Sequence, residues 1–323
     1  MPRLRRSRTT RPGLSRRRSG TGFRYLDTTG STLASEEDRD RIDALAIPPA
    51  WTQVWISPDP LGHIQAIGTD AAGRRQYLYH PVWRDKRDRT KFDRALDLAA
   101  TLTAARAQVT RDLRDTEPSK SRALAAAFRI LDTASPRIGG EHYLEANGSH
   151  GLSTLQCRHV ETHGDSVSLS FVGKGGLDWA SDFEDHDLAA VLRSLKRRGS
   201  AARLLAYKSE GSWHPLAAHE INDYVRERTR GEFTAKDFRT LRGTIIAAQS
   251  LAASGPSRAR RDRQAAISRA MVEASDALGN TPTIARKSYV DPRVVDRYRR
   301  GRVIEVGRGS APERALRELL GVG

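Results

Sequence analysis

The dominant period of the hydrophobic pattern changes along this chain of 323 residues. Near the amino terminus, short runs alternate apolar and polar side chains, which is typical of half-buried strands. These runs are Gln53–Ile56, His63–Ile67 and Arg75–His80, preceded by a helix-like segment at Glu36–Ala46. From Lys91 onward, apolar residues recur at three- and four-residue steps, as in amphipathic helices. The pattern predicts an α+β fold, with a small antiparallel β-rich amino-terminal domain and a larger, mainly α-helical domain.

Helical patterns in the second part are interrupted by one pair of strand-like runs. The predicted helices are 91–114, 120–134, 188–198, 214–229, 235–253, 257–278 and 292–302, and the predicted strands are 155–161 and 166–172. We place the domain boundary in the charged segment 84–91, so that the domains span residues 21–90 and 91–323. Residues 1–20 carry eight arginines and no acidic residue. This composition predicts a disordered basic arm.

The formal net charge of +16 indicates an anionic partner, most commonly nucleic acid. No apolar run approaches the roughly 20 residues that span a bilayer, so we expect no membrane partner. The single cysteine, Cys157, excludes an intrachain disulfide and is expected to be a small core residue. His214, His219 and Glu220 lack the spacing of a zinc-binding HExxH motif, and no carboxylate cluster suggests a two-metal nuclease. We therefore predict no metal and no cofactor.

The stretch around Asn280-Thr281-Pro282 carries a helix-start signal. Thr281 is a plausible N-cap and Pro282 fits the first helical position, so that Tyr289 falls about two turns along a short helix. A tyrosine in such a place is commonly a half-buried packing residue. Here, however, it follows a series of separated basic motifs, which are Arg137 in Ser-Pro-Arg-Ile-Gly-Gly, Lys174 in Phe-Val-Gly-Lys-Gly-Gly, and Lys236-x-x-Arg239.

The order Arg137, Lys174, Lys236-x-x-Arg239, Asn280, Tyr289 resembles the type IB DNA topoisomerases of the poxvirus-like, bacterial branch. The resemblance runs from about residue 20 to 300. It implies a tyrosine recombinase/topoisomerase IB-like catalytic domain and a C-shaped clamp around double-stranded DNA. It also implies a monomer that relaxes supercoils through a 3′-phosphotyrosyl intermediate, without ATP or metal. In a bacterium, such an enzyme would be cytoplasmic and associated with the nucleoid.

The residue types suit phosphodiester chemistry. Attack by the Tyr289 oxygen on a phosphodiester adds negative charge to the phosphorus centre, and the forks of Arg137 and Arg239 are suited to stabilise it. Arginine cannot protonate the leaving 5′ oxygen, whereas a lysine near other cations can serve as an acid. Lys174 is the candidate general acid, and the resemblance gives Lys236 an assisting role.

Two positions depart from parts of the family. Asn280 stands where poxvirus relatives carry histidine, and because an amide donates a hydrogen bond but supplies no proton, we assign it to transition-state binding. Leu241-Arg242 stands where many relatives are expected to carry an aromatic residue. This pair lies outside the reacting set, and the sequence leaves its effect open.

Further DNA-binding residues follow from the resemblance. The string Gly73 to Tyr79 is similar to a family segment that contacts DNA near the cleavage site, which suggests Gln76, Tyr77 and Tyr79. Period-two alternation places both tyrosines on one face of the strand, although ordinary strand packing would give the same pattern. Tyr143 and Asn147 are expected close to the DNA backbone.

Two other functions are compatible with the composition. Tyrosine recombinases and integrases share the chemistry, but their usual His-x-x-Arg box is Lys236-x-x-Arg239 here, and their amino-terminal domain is commonly helical. A non-catalytic basic DNA-binding protein would explain the charge through phosphate contacts alone. It would not require a lone tyrosine downstream of the basic motifs.

Overall fold

The computed structural model describes residues 3–305 and 311–322, and the chain divides into two compact units, Met1–Thr90 and Lys91–Gly323. The first unit is built on an antiparallel sheet and the second is mainly helical, so the predicted α+β class is confirmed. No helix in the described ranges is long and apolar enough to cross a membrane.

The first unit contains a five-stranded antiparallel sheet in the order β2-β1-β3-β4-β5. Its core combines alternate strand residues such as Val54, Ile56 and Ala66 with Ile42 of the single helix α1. Ser35 caps α1 by accepting a hydrogen bond from the backbone N–H of Asp38, which explains where the helix begins. The elements are β1 (Leu14–Ser19), β2 (Gly22–Leu26), α1 (Glu36–Ala44), β3 (Thr52–Ile56), β4 (Ile64–Thr69) and β5 (Arg75–Tyr79).

The prediction of a disordered arm over residues 1–20 is wrong, because this segment contains β1, which pairs with both β2 and β3. The Arg16 guanidinium donates hydrogen bonds to the main-chain carbonyls of Ile47, Pro48 and Trp51. Its charge also lies 4.0 Å from the centre of the Phe23 ring. An arginine-rich segment is therefore not a solvated tail when main-chain carbonyls of a folded unit accept hydrogen bonds from its guanidinium groups.

A 33-residue helix, α2 (Pro81–Leu113), includes the charged segment 84–91. We expected this helix to begin at Lys91, but it begins ten residues earlier, at a proline suited to a first helical turn. The early turns lack the apolar spacing by which helices are found in sequence, which explains the error.

The second unit has one large core, to which helices α2, α3 and α5–α8 contribute buried side chains. The predicted helix over residues 120–134 is found at the same bounds, with Ser119 as N-cap. Cys157 is buried in this core as expected, and burial raises the pKa of its thiol. The helices are α3 (Lys120–Ala134), α4 (Glu141–Asn147), α5 (His186–Lys196), α6 (Ala218–Thr229), α7 (Ala235–Ser254), α8 (Arg260–Leu278), α9 (Pro282–Ser288), α10 (Pro292–Arg299) and α11 (Pro312–Leu320).

Two small antiparallel sheets accompany these helices. The first has the order β6-β7-β8, with β6 (Val160–His163), β7 (Ser166–Val172) and β8 (Asp178–Glu184). The second is a hairpin of β9 (Ala206–Ser209) and β10 (Ser212–Pro215). The strand predicted from residue 155 begins at Val160, after a single 3-10 turn, and the helix predicted from residue 214 begins at Ala218 because β10 occupies its start.

Candidate active site

Three of the predicted basic residues line one small pocket in the second unit. Arg137, Lys174 and Arg239 meet there with the backbone of Gly279. The free volume is about 10 Å³, roughly the space of one water-sized group. The pocket therefore has room for a single small polar group, such as one phosphate oxygen, beside cationic side chains.

Arg239 lies on α7 and is only 3% exposed. Its two terminal nitrogens donate hydrogen bonds to the main-chain carbonyls of Ser135 and Leu278, both at 2.7 Å. Its Nε is enclosed and has no acceptor among the described residues. Burial lowers the pKa of this guanidinium, yet arginine remains protonated in proteins. The result is a fixed buried cation that keeps N–H donors, Nε among them, beyond the two that bind these carbonyls.

Arg137 follows α3 in an extended segment. Its side chain donates to the carbonyl of Gly279 at 3.3 Å. The main-chain carbonyls of Arg137 and Ile138 accept from the N–H groups of Leu152 and Ser153, at 2.8 and 2.9 Å. These backbone hydrogen bonds fix the position of the main chain at Arg137.

Tyr289 is the C-cap of α9, so it lies at the end of the short helix. Thr281 caps the start of this helix by accepting from the N–H of Ile284, and Pro282 occupies the first turn, as the sequence predicts. The Tyr289 carbonyl accepts a hydrogen bond from the Thr244 hydroxyl at 3.0 Å. Gly243, on α7, leaves room for this contact, since a Cβ there would lie 3.1 Å from the Tyr289 Cβ.

The Tyr289 phenol is close to the buried arginine, whose guanidinium carbon lies 5.0 Å from the ring centre. Burial by itself would raise the pKa of this phenol. The charge of Arg239 and a side-chain hydrogen bond from it, with smaller contributions from Arg137 and Lys236, outweigh burial and lower that pKa below its usual value. The phenolate, the more nucleophilic form, is therefore easier to form here than for a free tyrosine.

The two lysines are exposed, in contrast to the arginines. Lys174 lies in a 3-10 turn between β7 and β8, where Gly175 and Gly176 both have positive φ angles. Lys236 lies in the first turn of α7, one turn before Arg239. Both lysines thus have freedom to reach a bound anion.

Asn280 is partly buried, directly after Gly279 in the turn between α8 and α9. Its side-chain nitrogen and oxygen are both enclosed, and neither has a hydrogen-bond partner within the described residues. Buried amides are normally paired. An unpaired amide beside a cationic pocket is consistent with a group that binds substrate.

Sequence reasoning missed two pocket residues, His150 and Trp179. His150 Nδ1 lies 2.9 Å from the carbonyl of Thr154, and because a carbonyl only accepts, this nitrogen is the donor. The Trp179 ring lies against Gly279, where a Cβ would be 2.4 Å from the ring and where φ is +59°. Gly279 could be noticed in the sequence, but Trp179, the aromatic residue that it contacts, lies a hundred residues earlier in the chain.

The remaining predicted DNA contacts lie on two separate elements. Gln76, Tyr77 and Tyr79 are on β5, at the edge of the sheet in the first unit. The two tyrosine rings stack with centres 6.2 Å apart, which agrees with the predicted shared face, and Gln76 donates to Asp70 at 2.9 Å. In the second unit, Tyr143 and Asn147 are exposed on α4, with Tyr143 at 61%.

No group of three or more His, Cys, Asp or Glu side chains is arranged to hold a metal ion in residues 3–305 and 311–322. The polar groups that line the small pocket are instead cations, a histidine and main-chain atoms.

Known protein families match both units. Residues 80–302 match the family model of the eukaryotic DNA topoisomerase I catalytic core, and residues 22–70 match that of the bacterial DNA topoisomerase IB amino-terminal domain. The DNA topoisomerase 1B of Acanthamoeba polyphaga mimivirus is 30% identical over 296 residues, or 88% of this chain and 87% of the relative. The chain belongs to the type IB DNA topoisomerase family.

More distant relatives match shorter parts. Vaccinia virus (strain Copenhagen) DNA topoisomerase 1B is 30% identical over 129 residues, covering 38% of this chain and 39% of the relative. DNA topoisomerase 1 beta of Arabidopsis thaliana is 24% identical over 159 residues, covering 49% of this chain and 16% of the relative. These matches favour the topoisomerase interpretation over the recombinase and the non-catalytic alternatives.

Proposed function

We propose that this type IB family member relaxes supercoiled duplex DNA by cutting one strand, allowing rotation about the intact strand, and resealing the break, with Tyr289 as the nucleophile. The observation that carries this proposal is the placement of the Tyr289 phenol beside the buried Arg239, which lowers the phenol pKa. A packing tyrosine would not require a buried cation with an unused donor.

In the proposed cleavage step, the Tyr289 oxygen forms a bond to phosphorus while the bond from phosphorus to the 5′ oxygen breaks. Arg137 and Arg239 donate to the nonbridging oxygens, whose negative charge increases in the transition state. Both guanidiniums are held by main-chain carbonyls, so little reorganisation is needed when the charge develops. Tyr289 then remains joined to the 3′ phosphate.

The proton needed by the leaving 5′ oxygen is assigned to Lys174, which lines the same pocket from a glycine-rich turn. Lys236 assists from the first turn of α7, and the Asn280 amide donates to a phosphate oxygen. Religation reverses these steps, with the 5′ hydroxyl attacking the phosphotyrosyl bond. That bond keeps the energy of the broken ester, so we propose that neither ATP nor a divalent ion is required.

Several exposed side chains support DNA binding in this proposal. Tyr77 and Tyr79 lie near the guanidiniums of Arg75 and Arg87, at 5.7 and 5.8 Å from the ring centres. Such basic and aromatic surfaces suit contacts with a nucleic-acid backbone. With Gln76, they form the proposed DNA-binding face of the first unit. Tyr143 and Asn147 are proposed to contact the backbone from α4.

Relaxation of supercoiled plasmid in excess EDTA, without ATP, tests the proposal. Half of each reaction is stopped with denaturant and examined for protein-linked nicks. We expect relaxed circles and a 3′-linked adduct, both lost in Tyr289→Phe while DNA affinity stays nearly unchanged. Tyr207→Phe makes the same change on β9 and should retain both products. Relaxation that survives in Tyr289→Phe would refute the nucleophile assignment, and exchanged DNA strands would indicate a recombinase.

We also propose that the chain acts as a monomer associated with the nucleoid. Light scattering during size-exclusion chromatography tests the first statement, and a mass of about 36 kDa is expected from the sequence. A stable dimer would contradict it. Co-localisation of a fluorescent fusion with chromosomal DNA tests the second.

A further inference from the structure

A cavity of about 540 Å³ lies in the second unit and shares no lining residue with the small cationic pocket. Its walls come from α2, α3, α7 and the start of α11, with the N-cap residue of α5. Small-molecule sites commonly have volumes of roughly 300–1,000 Å³. The cavity is therefore large enough for a ligand of about that size.

Two of the arginines in this cavity are already neutralised. Arg106 donates to Asp132 at 2.7 and 2.9 Å and also contacts Glu313. Arg129 donates to Asp185 at 2.6 Å. Three carboxylates and two arginines are thus engaged with each other.

Arg242 is different from these two arginines. It lines the cavity from α7, and within the described parts of the chain it makes no hydrogen bond and no ion pair. Its Nε is enclosed, and burial lowers the pKa of the guanidinium, with Asp132 opposing that shift through space. Arg242 is only partly buried, so its protonated terminal nitrogens remain available to an anion in the cavity.

The cavity wall around Arg242 is apolar. Leu241 precedes it on α7, Ile245 and Ile246 follow it, and Leu102 of α2 lines the same cavity. A ligand there would need an apolar body beside its charged group. The carboxylates of Asp132, Asp185 and Glu313 would repel a second negative charge.

We propose that this cavity is a binding site for a small organic monoanion with an apolar body, and that Arg242 is the cation that anchors it. The pair Leu241-Arg242, which the phosphodiester chemistry leaves unused, supplies both required properties, an apolar contact and a charge. A DNA backbone does not fit this description, since it is a polyanion and the wall carries three carboxylates.

The fluorescent probe 8-anilinonaphthalene-1-sulfonate tests the proposal, because it combines one sulfonate with an aromatic body. We would titrate it into the folded full chain that is saturated with a short DNA duplex, and record fluorescence and the thermal unfolding midpoint. One saturable site is expected, with a rise in the midpoint as the probe concentration exceeds its Kd. Absence of saturable binding up to about 1 mM probe would overturn the proposal.

Arg242→Leu should weaken probe binding about tenfold or more, since a buried charge-assisted hydrogen bond is lost. This variant should fold, because it removes a partly buried charge that has no ion pair among the described residues. Arg242→Gln is a second variant that keeps a polar side chain and should also weaken binding. Arg269→Leu removes one exposed charge from α8 and should bind the probe as the parent does. Equal affinity in all the proteins would mean that the probe binds elsewhere, and would refute the site.

Discussion

Thr244 connects the helix that carries Arg239 to the end of the helix that carries Tyr289, the proposed nucleophile. Its hydroxyl oxygen lies 2.8 Å from the Thr240 carbonyl and 3.0 Å from the Tyr289 carbonyl, so these two acceptors share its single proton, and it accepts from the N–H of Asp291 at 3.1 Å. The side chain is 2% exposed and the Asp291 residue 1%. We therefore expect Thr244 to position Tyr289 without touching the DNA.

Two substitutions at this position separate the hydroxyl from the shape of the side chain. Thr244→Val keeps the branched shape and leaves the buried Asp291 N–H without its acceptor, which costs about 2 kcal/mol in the free energy of unfolding. Thr244→Ser keeps the hydroxyl and loses one methyl group, which costs about 1 kcal/mol. Both variants should remain folded at 25 °C.

The effect on catalysis should differ more than the effect on stability. A displacement of about 1 Å at a reacting group lowers a rate by about 100-fold. We expect Thr244→Val to lower the single-turnover rate of DNA cleavage by about 10- to 100-fold, while Thr244→Ser cleaves at close to the parent rate.

The assay uses a radiolabelled duplex with excess protein, so that the appearance of the covalent adduct reports cleavage alone. DNA affinity, measured by fluorescence anisotropy, should be the same for both variants and the parent. The reasoning would be refuted if Thr244→Val formed the adduct as fast as Thr244→Ser, or if both variants lost cleavage equally.

Three further predictions follow from the packing and from the pKa shifts. Gly243→Ala places a Cβ 3.1 Å from the Tyr289 Cβ and should slow adduct formation by about tenfold or more, while DNA affinity stays unchanged. Cleavage at the parent rate would show that the position of Tyr289 does not depend on this close approach. The cleavage rate should rise with pH and level off below the usual phenol pKa of about 10, because Arg239 lowers the Tyr289 pKa. In Lys236→Met the midpoint of this pH profile should move to higher pH, and a rate that does not depend on pH would contradict the reasoning. Burial, aided by the charges of His150 and Arg158, lowers the pKa of His159 to about 4, so between this pH and about 6.5 the unfolded chain binds a proton that the folded chain does not. About 2 kcal/mol of the free energy of unfolding should therefore be lost as pH falls from about 6.5 towards 4. Urea unfolding of His159→Asn should show a smaller loss, and an equal loss would exclude His159 as its source.

Local signals predicted the elements that local chemistry determines. Thr281 and Pro282 begin α9 because an N-cap and a first-turn proline act within a few residues, and the apolar spacing over residues 120–134 matched a helix that faces the core on one side. The strand formed by residues 14–19 was not predicted, because Arg16 finds its acceptors more than thirty residues away. Strand β8 was missed for a similar reason, since its residues pair with β7 along an edge that no local pattern reveals.

The candidate active site also combines features that the sequence predicts with features that it does not. The types and order of Arg137, Lys174, Arg239 and Tyr289 indicated phosphodiester chemistry, and the structure brings the two arginines and Lys174 to one pocket. The groups that hold them could not be predicted. Arg239 is fixed by carbonyl oxygens, which every residue possesses, and sequence therefore carries no signature of them.

Because Arg239 is fixed by the main chain at Ser135 and Leu278, its acceptors do not depend on which side chains occupy those two positions. Substitution at these positions is limited instead by packing, since both residues are 0% exposed, and by the left-handed backbone of Ser135 at φ 53°. The orientation of the buried cation can thus be inherited through the path of the chain, and no particular side-chain acceptor has to be kept for it.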